Sequence, residues 1–201
     1  MVREILVHRL GFIITVLTML LSLEVAAQRY NDFAGIPFGA TREAVIEEVM
    51  KLGYEPYGQS GEGERVVIPV FMFGELPVQV DFIFNKNDKF YSFEIRTGRV
   101  EHARLGKAFE AVAYMSEQFT LKYGKPSANP AIDETSVLKE SLLNLYQQWF
   151  SVKTLNIYTA VVQKDGRFYV VGSVTHRKLA SEKESNGSRR GDRAVSNQPV
   201  F

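Results

Sequence analysis

The sequence contains no cysteine and, after its first 27 residues, only two histidines. The absence of cysteine excludes thiol nucleophiles, cysteine-ligated zinc, iron–sulfur clusters and disulfide-based redox switching. His102 and His176 stand alone in the sequence, without the H-x-x-H or H-E-x-x-H spacing that brings two ligands to one metal ion. We therefore expect no metal site and no other cofactor.

Neither sign of charge dominates the chain. It has 24 lysines and arginines against 23 aspartates and glutamates, a formal net charge of +1. Proteins that bind nucleic acid need a basic face or stripe that neutralises phosphates. The sequence thus predicts no nucleic-acid partner.

A long apolar run of membrane-spanning length is also missing. The chain begins with a positively charged stretch, an apolar run at 10–21 and small residues at 25–27. This order is typical of a secretory signal peptide, here residues 1–27, cleaved before Gln28. The alternative is a single membrane anchor, but the apolar run falls short of the roughly 20 residues that span a bilayer. We expect a periplasmic or secreted protein with no stable membrane span after cleavage.

Hydrophobic periodicity predicts an α+β fold for residues 28–179, with two helices packed on a largely antiparallel sheet of about six strands. The expected order is α-β-β-β-α-β-β-β, which leaves open a duplicated unit. Residues 136–145 fit either a helix or a strand. Residues 180–201 are expected to be a disordered tail, because their first part carries almost no apolar side chain. The predicted helices span 41–52 and 101–123, and the predicted strands span 66–73, 78–84, 90–96, 146–152, 155–163 and 168–176.

No catalytic motif is present: the chain lacks a G-x-S-x-G elbow and a phosphate-binding glycine loop. Asp81 and Glu94 are the two carboxylates placed inside predicted strands, where a glycosidase-type pair can be imagined. Strand alternation puts both on the polar face with Arg96, where an exposed cross-strand ion pair is the ordinary explanation. We therefore expect the protein not to be an enzyme.

Aromatic residues are concentrated in the predicted strands. There are more of them than a single sheet face covered by helices can bury. One interpretation is a central strand with loops over its second face. The other is a concave aromatic sheet surface that takes a partner or an apolar ligand. The candidate binding residues on such a surface are Phe71, Phe73, Trp149, Tyr158 and Tyr169.

Two segments carry a family resemblance. Gly35-Ile36-Pro37-Phe38-Gly39, followed by a Thr-capped helix, resembles the opening of small uncharacterised exported α+β proteins of Gram-negative bacteria. Lys122-Tyr123-Gly124-Lys125-Pro126, followed by an aromatic strand around Trp149, is similar to a later part of them. More remotely, the chain resembles β-lactamase-inhibitor-like and outer-membrane-assembly small-protein domains. The resemblance implies a non-catalytic binding or assembly role and brings no catalytic residue.

These observations favour an exported, non-catalytic binding or assembly protein that acts on another envelope protein through an aromatic sheet surface. A hydrolase of envelope or other polymers that uses carboxylates is a second hypothesis. A carrier of an apolar ligand is a third, and it would show as a cavity between the sheet and the helices.

Overall fold

The structure is a computed structural model that describes residues 30–58, 65–130, 132–150, 152 and 154–181. The predicted signal peptide lies outside these residues. The last described helix ends at Ser181, two residues inside the predicted tail, and the rest of that tail also lies outside them. The described residues from Phe33 onward form one compact unit.

Three helices are described, and the two longer ones have clear end signals. Helix α1 (Arg42–Lys51) begins at Thr41, whose Oγ1 accepts a hydrogen bond from the backbone N–H of Ala44 at 3.3 Å. Helix α2 (Leu105–Tyr123) follows a 3₁₀ turn at His102–Arg104 and ends at Gly124, whose φ of +82° suits a glycine. Helix α3 (Arg177–Ser181) is a short turn after the last strand.

The strands are rich in branched and aromatic residues, which fit a pleated, half-buried surface. Four of the ten described strands are only two residues long. In chain order they are β1 (Asp32–Phe33), β2 (Ile36–Pro37), β3 (Tyr57–Gly58), β4 (Arg65–Phe73), β5 (Leu76–Phe84), β6 (Phe90–Thr97), β7 (Val100–Glu101), β8 (Leu143–Trp149), β9 (Leu155–Lys164) and β10 (Arg167–His176).

One large antiparallel sheet dominates the described residues. Seven of its strands lie side by side in the order β3-β4-β5-β6-β10-β9-β8, and β7 pairs with β10. The meander β4-β5-β6 follows α1, and the meander β8-β9-β10 follows α2. The last strands of the two meanders pair with each other, for example Phe93 with Val174. The sheet therefore joins two helix-plus-three-strand halves at its centre.

Helix α2 packs closely on the second half of the sheet. Its buried residues include Val112, Met115 and Phe119, which face β9 and β10. Gly172 of β10 makes this approach possible, because a Cβ atom built there would lie 2.5 Å from the Met115 sulfur. Arg42 of α1 lies over the Phe84 ring, with 4.3 Å from its Cζ to the ring centroid. Both helices thus cover the sheet face that carries Phe84 and Gly172.

The predicted α+β class with a large antiparallel sheet is confirmed, whereas the exact pattern of two helices and about six strands is not. The structure adds the short strands β1, β2, β3 and β7 and the helix α3, each with too few residues to show a periodicity. The ambiguous segment 136–145 is irregular up to Leu142 and then enters β8. Ser141 there has a φ of +59°, which fits neither a helix nor a strand.

Backbone pairing along the outer edge of β4 is interrupted. Strand β3 pairs only with Val66 and Val67, and Pro69 then removes a backbone donor. The register against β5 also shifts between Ile68 and Phe71, as in a β-bulge. Val70 and Met72 beyond this point are exposed.

Candidate functional site

The sheet face opposite α1 and α2 carries a continuous row of paired residues. Neighbouring strands pair Asp81 with Glu94, Glu94 with Ser173, and Ser173 with Tyr158. Strands β4 and β3 extend the row beyond Asp81 through Val67 to Tyr57. Because residues directly opposite each other share a face, all of these lie on one surface, which we call the open face.

Asp81 is the centre of the polar part of the open face. Its side chain is only 2% exposed. The same oxygen, Oδ2, accepts hydrogen bonds from Nη1 of Arg65 at 2.9 Å and from Nη2 of Arg96. The other oxygen, Oδ1, accepts one from Nε2 of Gln79 at 2.6 Å. A buried carboxylate is tolerated when it is paired and hydrogen-bonded in this way. Asp81 therefore fixes two guanidinium groups in place and is itself shielded from a substrate.

Glu94 lies opposite Asp81, and its side chain is more exposed, at 24%. Burial raises the pKa of the Glu94 carboxyl, the Arg96 charge opposes this rise, and the Asp81 charge adds to it. Nε of Arg96 is 3.3 Å from Oε1 of Glu94, yet this buried Nε makes no hydrogen bond within the described residues. The pair is thus a loosely aligned ion pair, weaker than the bonds to Asp81.

Tyr158 continues this polar row on β9, and Gln148 of β8 pairs with it. Burial raises the pKa of its hydroxyl, a hydrogen bond with the Ser173 side chain lowers it, and the nearby Glu94 charge raises it further. In the neighbouring row, the Ser92 and Thr175 hydroxyl oxygens are 2.7 Å apart and hydrogen-bonded. The open face therefore offers fixed charges, hydroxyl groups and half-buried tyrosines on strands, which are rigid supports.

The structure divides the five predicted binding residues among three places. Tyr158 and Tyr169 lie on the open face. Phe71 and Phe73 line a cavity of about 440 Å³ on the opposite face, next to α2. Trp149 is fully buried, and its Nε1 donates a hydrogen bond to the Gly124 carbonyl at 2.7 Å. The five residues therefore do not form one aromatic surface, and Trp149 offers no surface to a partner.

The expected pairing of the carboxylates with Arg96 is present, across strands for Asp81 and along β6 for Glu94. The expected exposure is wrong for Asp81, whose side chain is buried, whereas the Glu94 side chain is 24% exposed. Asp81 is buried because Arg65 and Gln79 pack around it. Arg65 was not a candidate in the sequence, since it directly follows a glycine-rich loop at the very start of its strand. The signal that could have found it is spacing, because Arg65 and Val67 alternate onto the same face as Asp81.

No family model, no curated protein and no solved structure matches the chain. Within the described residues, no three histidine, aspartate or glutamate side chains are grouped closely enough to hold a metal ion. None of the described helices has the length and apolarity needed to cross a bilayer.

Proposed function

We propose that this protein is an exported, non-catalytic binding protein that recognises another envelope protein through its open face. The observation that carries the proposal is the buried Asp81, which holds Arg65 and Arg96 in fixed positions on an exposed sheet surface. Arginine and tyrosine are the residue types that most often dominate binding energy at protein interfaces. Side chains that are already ordered lose little entropy when a partner binds.

The charges of the open face also favour recognition over catalysis. Arg65 and Arg96 balance Asp81 and Glu94, so the polar centre is close to neutral and suits a partner with complementary pairs. A hydrolase that uses Asp81 and Glu94 gains less support. Both oxygens of Asp81 already accept hydrogen bonds, and its side chain is buried. A nucleophile or base must reach its substrate.

Crosslinking in the native host, followed by mass spectrometry of the captured proteins, tests the proposal. We expect one reproducible partner that is captured by the wild-type protein and lost in the variants Arg65→Gln and Tyr57→Ala. Tyr57 is 62% exposed and the Arg65 side chain is 46% exposed. In Arg65→Gln the Asp81 carboxylate keeps its hydrogen bonds from Arg96 and Gln79, so both variants should fold. The matched controls are Arg104→Gln and Leu121→Ala, which alter exposed residues at and on α2. Capture that is unchanged in both open-face variants would contradict the proposal.

Export is the part of the proposal that depends on the first 27 residues. Mass spectrometry of the protein purified from its host should find a mature chain that begins at Gln28. Fractionation should then place this chain in the periplasm or the medium. An intact N-terminus in the cytoplasmic fraction would rule out export and would redirect the search for a partner to that compartment.

A carrier of an apolar ligand is the second candidate function, favoured by the cavity next to α2. Phenylalanine rings dominate its wall, with centroids of Phe33 and Phe93 4.8 Å apart and of Phe73 and Phe119 6.0 Å apart. The neutral probe N-phenyl-1-naphthylamine should become fluorescent in this cavity, and Phe71→Trp should weaken binding by filling it. Leu142→Trp adds the same ring at an exposed site elsewhere and serves as the control.

A further inference from the structure

A second cavity, of about 550 Å³, lies beside the polar centre of the open face. It is formed where β4 and β5 meet the end of β6 and the β9–β10 turn. This volume is within the range of small-molecule sites, which are roughly 300–1,000 Å³. It differs from the aromatic cavity next to α2 in composition, because its wall includes Arg96, Arg99 and Lys164.

The three cations come from three different elements and are only partly neutralised. Arg96 of β6 is paired with Asp81. Arg99, between β6 and β7, has only a distant acidic partner, with its Nη1 4.0 Å from Oδ2 of the exposed Asp165. The side chain of Lys164, at the end of β9, makes no ion pair or hydrogen bond within the described residues. The cavity therefore has a surplus of positive charge, which favours an anion.

The rest of the cavity wall combines apolar and aromatic surfaces with the polar residues Gln79 and Thr97. Pro69 and Pro77 contribute ring surfaces from β4 and β5, and Tyr169 contributes its ring from β10. The Arg99 guanidinium lies over the Tyr169 ring, with 5.8 Å from its Cζ to the ring centroid. A fixed cation next to a flat apolar surface suits a ligand that has both a charged group and an apolar body.

We propose that this cavity binds a small organic anion, namely a carboxylate or a phosphate monoester carried on an apolar ring. Arg99 and Lys164 contact the anionic group, Arg96 supplies a third positive charge held in place by Asp81, and the ring lies against Tyr169 and the prolines. The site lies at the edge of the open face and shares Arg96 and Tyr169 with it. It is a small-molecule site on the same protein.

Isothermal titration calorimetry of the purified mature protein tests the proposal with benzoate and phenyl phosphate as probes. We expect one ligand per chain for at least one of them, with an affinity that falls as salt is added. The probe that binds more tightly shows whether the site prefers a carboxylate or a phosphate group. Benzyl alcohol and inorganic phosphate test the two parts of the ligand separately. Each should bind more weakly than the organic anion, because the alcohol lacks the charge and inorganic phosphate lacks the ring.

Variants then locate the site. Lys164→Gln and Arg99→Gln should each weaken binding of the organic anion by about fivefold, the loss of one solvated ion pair. Tyr169→Ala should bring the affinity for phenyl phosphate down to that for inorganic phosphate. Lys86→Gln removes an exposed lysine from the turn at the opposite end of β5 and should change nothing.

Three results would overturn the proposal. The first is no binding of either organic anion at millimolar concentration in low salt. The second is binding that Lys164→Gln and Arg99→Gln leave unchanged. The third is benzyl alcohol binding as tightly as the anions. Because the assay uses purified protein and small probes, it is independent of whether a protein partner is ever captured in the host.

Discussion

At the scale of single residues, the stability of the open face depends most on Asp81. Asp81→Asn removes the charge between two arginines and should lower the free energy of unfolding by about 1–3 kcal/mol. The loss stays below that of a fully buried pair because Arg65 and Arg96 remain partly exposed, at 46% and 31%, and recover water. Urea unfolding measures the difference.

The control for this prediction is Asp88→Asn. Asp88 also forms an ion pair, with Arg42 at 2.9 Å, but its side chain is 44% exposed. Exposed pairs contribute about 1 kcal/mol or less. If both substitutions cost the same, the burial of Asp81 has no energetic role and the interpretation of the open face as a preorganised surface fails.

Glu94 makes the stability of the fold depend on pH. Its folded-state pKa is raised by burial, so the charged form is disfavoured in the fold relative to the unfolded chain. Stability linked to Glu94 therefore increases as pH falls through the raised pKa and is lost as pH rises above it. Glu94→Gln should make the protein more stable than wild type at pH 7, and the advantage should shrink towards pH 4. Melting temperatures across this range would show it; an advantage that grows on acidification would contradict it.

At the scale of elements, the tight contact is between α2 and β10. In Gly172→Ala the added methyl group would meet the buried Met115 sulfur and, at 3.0 Å, Cζ of Phe119. Both side chains are buried, so they must repack or the helix must shift, at a cost of about 1–3 kcal/mol. Gly98→Ala is the control, because a Cβ built there has no neighbour within 4 Å. Chemical denaturation should show the loss for position 172 alone, and equal stability of both variants would contradict the close packing.

Most of the long elements follow from the sequence, because their signals are local. Thr41 and Gly53 predict the ends of α1, and Gly124 predicts the end of α2, as observed. Alternation likewise places Asp81, Glu94 and Arg96 on one face. The burial of Asp81 was missed, because it depends on Arg65, which reaches Asp81 from a neighbouring strand whose register the sequence alone does not give. The burial of Trp149 could not be predicted either, because an aromatic residue in a strand gives the same sequence signal whether it lies in the core or on a surface.

At the scale of the whole molecule, the two halves share one core. Phe73 of the first half contacts Phe119 of the second, and β6 pairs with β10 along five residue pairs. We expect the halves to unfold together in one transition. Trp149, the only tryptophan, reports on the second half. Its fluorescence should therefore change at the same denaturant concentration as the far-ultraviolet circular dichroism. Asp81→Asn, a change in the first half, should shift both signals equally, whereas two separate transitions would mean that the halves fold independently.

The proline in the middle of β4 bears on how this protein behaves in concentrated solution. Strand β4 reads Arg-Val-Val-Ile-Pro-Val-Phe-Met-Phe, a run with a single charge. Without Pro69 it would have the composition of segments that stack into cross-β fibrils. The missing amide donor and the neighbouring bulge prevent a second chain from pairing along this edge. Pro69→Thr should therefore leave a folded protein that slowly forms thioflavin-positive aggregates on storage, while the wild-type protein stays clear.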